Sequence, residues 1–145
     1  MNNLELFMKD RQKPTKDIDY PATSLFVDEK GKVIPWKLRV VPSKRNDEIS
    51  EECLEDIPIP GKRNQYRQKL NVNKYTEKLV CESVVFPDLN DKRLQDSYGV
   101  LCAEDLLHEL VKIPGEYTDL LAKVQEINGF DPEKMDKAVE EAKNS

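Results

Sequence analysis

Between residues 73 and 127 apolar side chains recur at helical spacing, and the breaks fall at proline and glycine. Tyr75, Leu79, Ser83 and Phe86, with Val80 and Val84 beside them, line one side of a helix predicted over 73–86. Lys74, Glu77, Lys78 and Glu82 face water on the other side. Pro87 ends this helix, because the residue before a proline is pushed out of the α region. A second, short helix takes Asn90 or Asp91 as N-cap, carries Leu94 inward and stops where Gly99 supplies a left-handed position. Ala103, Leu106, Leu107, Leu110 and Val111 mark a third helix, and Pro114-Gly115 opens a fourth with Tyr117, Leu120, Leu121, Val124 and Ile127 inward and Gly129 at its end. Asp131-Pro132-Glu133 starts a last one through Met135, Ala138, Val139 and Ala142.

Ahead of this region the period changes. Leu25 and Val27 alternate with Phe26 and Asp28, Lys30-Gly31 makes a turn, and 33–41 returns as a second strand, with Trp36, Leu38 and Val40 on one face. This predicts a β-hairpin over 24–41 whose apolar face must lie on the helices or on another chain, since a lone hairpin is marginal in water. Ser43 is the expected N-cap of a helix carrying Ile49, Cys53 and Leu54 inward, and Pro58, Pro60 and Gly61 break the chain into a connector through residue 65. Residues 1–22, with Leu4, Phe7 and Met8 followed by a polar run, read as a short helix or a disordered arm. The expected fold is therefore α+β and mainly α: an arm (1–22), then one domain (23–145) built from a hairpin (24–41) and about five short helices within 43–143.

Charge changes this picture in one respect. Residues 1–78 hold 16 basic against 13 acidic side chains, a net of +3, and residues 79–145 hold 7 against 15, a net of −8. Such asymmetry suits docking of subunits or partners through complementary fields, although ordinary solvated helix faces are the preferred account of it. A mean hydropathy of −0.71, the lack of any run of about 18 apolar residues and an N-terminus unlike a signal peptide predict a cytoplasmic protein without a membrane segment. Cys53, Cys81 and Cys102 are far apart, so reduced thiols are expected rather than a disulfide or zinc framework.

Catalytic patterns do not converge. His108 is the one histidine, and its L-H-E-L context lacks the second histidine of a zinc-protease helix. The glycines are isolated, so no phosphate-binding loop is formed, and Asp88, Asp91 and Asp96 lack calcium-loop spacing and suit capping and turns. Gln95-Asp96-Ser97-Tyr98 reads as a polar corner in which Asp96 and the Tyr98 hydroxyl satisfy helix-end groups. Trp36, Arg39, Lys44, Arg45 and the basic block 62–78 could meet nucleic acid, but a sequence pI near 5.1 argues against it. The residues thus predict no enzyme, no cofactor and no metal.

Three segments carry a resemblance. Val85-Phe86-Pro87-Asp88-Leu89, then Leu94-Gln95-Asp96-Ser97-Tyr98-Gly99-Val100, then the Leu106-Leu107 helix followed by Pro114-Gly115-Glu116-Tyr117 resemble the XkdN-like phage tail assembly chaperones. A looser similarity runs from Trp36 to Phe130 and to Ala142-Lys143-Asn144, where adenine-rich codons would suit ribosomal slippage to a longer product. The resemblance implies binding of the tape measure protein, which is kept soluble without ATP while tube subunits assemble around it; a homo-oligomer is a further candidate contact, left open by the sequence. The alternative is a structural tail subunit of the completion or connector type, retained in the particle. Partner contact is expected from exposed parts of Trp36, Leu38, Leu106, Leu107, Leu110, Val111, Tyr117, Leu120, Leu121 and Val124. Phe86, Pro87, Asp88, Leu94, Asp96, Tyr98, Gly99, Pro114, Gly115 and Glu116 carry the structural motif.

Overall fold

Strand Val84–Phe86 is the hinge of the architecture, because it follows a helix directly and closes a sheet begun far earlier in the chain. A computed structural model describes residues 3–130; the helix expected beyond Asp131 lies outside the described residues. In order the elements are β1 (Ile18–Tyr20), β2 (Trp36–Leu38), α1 (Ser43–Glu52), β3 (Leu54–Pro58), β4 (Tyr66–Leu70), α2 (Val72–Ser83), β5 (Val84–Phe86), α3 (Lys92–Tyr98), α4 (Ala103–Leu110) and α5 (Pro114–Ile127), after two 3-10 turns near the N-terminus. The fold is α+β, with antiparallel sheets and five helices among the described residues.

The helix expected over 73–86 ends three residues early. Its core positions Tyr75, Leu79, Val80 and Ser83 are buried as anticipated. Val84, Val85 and Phe86, however, are β-branched or aromatic and suit a pleated surface, and they extend to pair with β2 in the register Leu38↔Val84 and Lys37↔Phe86. Val84 points into the core in either geometry, but Phe86 moves from the inner side of a helix to a half-exposed site.

The hairpin turn forms where the sequence places it: Asp28 N donates to Lys32 O and Ile34 N to Phe26 O. Its regular pairing shrinks to the bridge Val27↔Val33. The strand around Trp36 pairs instead with Ile18–Tyr20, in the segment read as an arm, and on its other edge with β5, giving the sheet order β1-β2-β5. Both partners are non-local, which periodicity alone does not reveal.

A second departure is the hairpin β3–β4, in register from Leu54↔Leu70 to Pro58↔Tyr66, where a connector was expected. Pro58 sits at the strand end and Pro60 outside the ladder, positions proline tolerates, and the turn uses Gly61 and Asn64 at positive φ. Helix α1 begins at Ser43 with Pro42 as N-cap and no side-chain cap bond. Ile49 and Cys53 point inward as expected, whereas Leu54 is exposed in β3.

One continuous core runs through the described residues, from Ala22, Trp36 and Leu38 through α1 and α2 to Leu120 and Val124. Polar clasps cross it. Asn128 Oδ1 accepts from Val41 N (2.7 Å) while its Nδ2 donates to the buried Ser83 hydroxyl (3.2 Å), so the end of α5 is tied to the sheet margin and to the end of α2. The Tyr75 hydroxyl donates to Asn46 Oδ1 across α1 and α2.

Candidate partner-binding site

The residues 85–100 build a corner by satisfying each helix end in turn. The Phe86–Pro87 peptide is cis. Asp88 Oδ1 accepts from Asn90 N (3.0 Å), and Asp91 caps α3 by accepting from Leu94 N (2.8 Å). At the other end Gly99 N donates to Asp96 O and Val100 N to Gln95 O, the paired bonds of a Schellman stop, with Gly99 at φ 68°. Gln95 Nε2 reaches back to Leu89 O at 2.8 Å. The polar satisfaction expected from Asp96 and Tyr98 side chains is thus supplied by Asp91 and Gln95, whose amide can donate where a carboxylate cannot.

This corner leaves an apolar cleft of about 170 Å³ between the sheet and α3–α4, lined by Phe26, Ile34, Trp36, Phe86, Pro87, Leu94, Tyr98 and Leu110. Trp36 and Leu110 form its buried floor, and Phe86, 54% exposed, stands at the rim. Four motif residues, Phe86, Pro87, Leu94 and Tyr98, therefore meet around one opening. The volume is below the roughly 300–1,000 Å³ of small-molecule sites, and the lining offers no charge. Such a cleft can receive one bulky apolar side chain.

The second motif segment supports the cleft from a distance. Pro114 occupies the first turn of α5, and the Glu116 carboxylate accepts from the Thr23 hydroxyl (2.8 Å) and Ser24 N (2.9 Å). These bonds hold Glu116 below its ordinary pKa. They also anchor the buried Ala22–Thr23 segment, which ends three residues before Phe26 in the cleft wall.

Of the ten side chains expected at a partner contact, the structure buries eight: Trp36, Leu38, Leu106, Leu107, Leu110, Val111, Leu120 and Val124. In this fold they pack the core. Only Tyr117 and Leu121 keep exposed edges, along a groove with His108 and Glu77. His108 stacks on Tyr117 with centroids 4.7 Å apart, and its Nε2 lies 3.4 Å from Glu77 Oε1. Burial, with Glu77 and Cys81 nearby, pushes the Tyr117 phenol up to about 12. Phe26 and Ile34 are the cleft residues that the sequence reading leaves out of any site; period-two alternation places Phe26 near a turn but gives no hint that the motif residue Phe86 faces it.

The other large depression, about 690 Å³, is strongly charged. Arg39 and Arg45 both bind Glu82 (2.9 and 2.8 Å), Arg45 also reaches Glu48 and Glu52, and Lys78 lies between Glu52 and Glu104. With Arg39 and Arg45 in ion pairs and Trp36 buried, this surface offers no stacking platform beside free cations. Among the described residues no group of His, Cys, Asp or Glu is arranged to hold a metal ion, and no helix is long and apolar enough to cross a membrane.

The described body is a small α+β fold whose cleft has an apolar, uncharged lining, more suited to contact with another protein than to chemistry. Comparison gives the particular kind: the chain belongs to the phage XkdN-like tail assembly chaperone family, which its residues 4–143 match. The family role is non-enzymatic. The chain is similar to the phage-like element PBSX protein XkdN of Bacillus subtilis (strain 168), with 30% identity covering 98% of this chain and 94% of that protein. It is also similar to the uncharacterized protein YqbN of the same organism, at 26% identity over 98% and 93% of the two chains. The crystal structure of YqbN shares the fold, with a TM-score of 0.76 over 90% of this chain and 99% of that one at 24% identity.

Proposed function

We propose that this tail assembly chaperone binds the tape measure protein of a phage or phage-like particle, keeps it soluble without ATP and promotes assembly of the tail tube around it. It does so in the host cytoplasm and leaves before the particle is complete. The observation that supports this reading is the apolar cleft walled by the motif residues Phe86, Pro87, Leu94 and Tyr98. A long helix with an apolar stripe presents a bulky side chain every three or four residues, and a cleft of this size accepts one of them. Filling it contributes about 1.5–3 kcal/mol. A single contact of that strength is short-lived, which suits a chaperone that must let go, and many copies along one stripe still cover it.

Co-expression with the tape measure gene of the same cluster tests this. The wild-type protein is expected to bring the tape measure into the soluble fraction, and Phe86→Asp to lose that effect while its circular dichroism and melting are retained. A tape measure that stays insoluble beside folded wild-type protein overturns the reading, and abundance of this protein in purified particles favours the structural subunit.

A further inference from the structure

The hairpin β3–β4 projects from the body with almost nothing packed on it. Its strands pair only with each other, and every residue from 60 to 69 is exposed, Tyr66 to 59%. Isolated two-stranded ribbons are marginal in water, yet the root of this one is well fixed. Asn71 N donates to Cys53 O (2.9 Å) and Asn71 Nδ2 to Glu55 Oε1 (2.8 Å), while the Asn71 side chain also caps α2. A held root with a bare tip is the form of an element that docks elsewhere.

Charge identifies where. Beyond Asp56 the ribbon carries Lys62, Arg63, Arg67 and Lys69 and no acid. None of the four makes an ion pair with a described residue. Residues 79–130 hold ten acidic against four basic side chains, a net of −6. Asp96, Asp105 and Asp119 there are exposed and likewise without a cation among the described residues. The ribbon's edges are guarded by Pro58, Pro60 and charged side chains, which disfavour strand addition. Docking is therefore through side chains, and Tyr66 with Arg63 and Arg67 supplies the residue types that dominate interface energies.

We propose that the tip of β3–β4 in one copy binds the acidic helical half of a second copy. The two patches are different, so the contact is head-to-tail and propagates into chains or rings. It is independent of the cleft and of the tape measure.

Sedimentation velocity on the full chain alone tests it, at ~0.01 M salt, where charges act over ~30 Å, and at ~1 M, where they act over ~3 Å. The expected result is a species larger than the 16.8 kDa monomer that grows with concentration at low salt and is lost at high salt. Lys62→Glu/Arg63→Glu/Arg67→Glu should stay monomeric at both with unchanged circular dichroism. Mixing that variant with Asp96→Lys/Asp105→Lys/Asp119→Lys should restore a complex, and Tyr66→Ser gives a milder loss should the triple variant misfold. A wild type monomeric at low salt, or a triple variant that associates like the wild type, overturns the proposal. Since no tape measure protein is present in the sedimentation experiment, failure there leaves the chaperone reading untouched.

Discussion

Trp36 and Phe86 meet in one cleft with opposite prospects under mutation. Trp36 is 3% exposed and carries the floor, so Trp36→Ala should cost about 3–5 kcal/mol, enough to remove much of a domain's total stability. Phe86 stands at the rim, and Phe86→Ala should cost about 1 kcal/mol or less while removing partner binding. Thermal melts of the two variants check this; an equal, large loss at both would place Phe86 in the core. Glu116 adds a pH dependence. Its carboxylate is held below the ordinary value by Thr23 and Ser24. The stability it contributes is therefore fully present above the unfolded pKa of about 4.3 and is lost as pH falls through the depressed folded value. Glu116→Gln should flatten the acid side of the melting-temperature profile, the two proteins converging at low pH. Parallel profiles would show that these bonds do not discriminate the charged form. At this scale the sequence is informative about burial: the spacing that makes Leu106, Leu107, Leu110, Leu120 and Val124 conspicuous is the spacing of a core, and of these Leu110 also lines the cleft.

Elements were legible where their ends carry their own chemistry. Asp91 and Gly99 bracket α3 as expected because a capping carboxylate and a left-handed glycine each solve a local problem without tertiary help. Gly99→Ala places a Cβ at φ 68° and should destabilise by about 1–2 kcal/mol. Gly115→Ala, inside the first turn of α5 with open space around it, should instead be neutral or stabilise by up to about 1 kcal/mol. Denaturant titrations of the pair distinguish a backbone requirement from mere presence in the motif; destabilisation by both would contradict this assignment. Elsewhere local signals were ambiguous. Val84 fits a helix four residues after Val80 and fits a strand equally, and the choice is made by β2, an element more than 40 residues away. Tyr-Arg-Gln-Lys-Leu at 66–70 has apolar groups only at its ends, so no period-two pattern marks β4; cross-strand pairing and the turn at Gly61 and Asn64 determine it.

For the whole molecule, overall class and motif positions could be read from the chain, whereas the cleft could not. Its lining is drawn from residues 26, 34, 36, 86, 87, 94, 98 and 110, brought together only by the β1-β2-β5 sheet and its packing on α3 and α4. The charge asymmetry was visible in composition, but the separation of unpaired cations on a projecting ribbon from the self-neutralised network around Glu82 emerges only in three dimensions. Arg39 and Arg45, by contrast with the ribbon, are both paired with Glu82.

The wide sequence span of the cleft also sets a clock on synthesis. A nascent chain that has emerged as far as β5 possesses Phe26, Trp36 and Phe86, yet without α3 and Leu110 it has nothing to close them into a receptor. The cleft is complete only once residue 110 has left the ribosome, because Leu110 is part of its lining. If the cleft is the client site proposed above, the molecule would acquire it late in synthesis, with only α5 and the end of the chain still to follow.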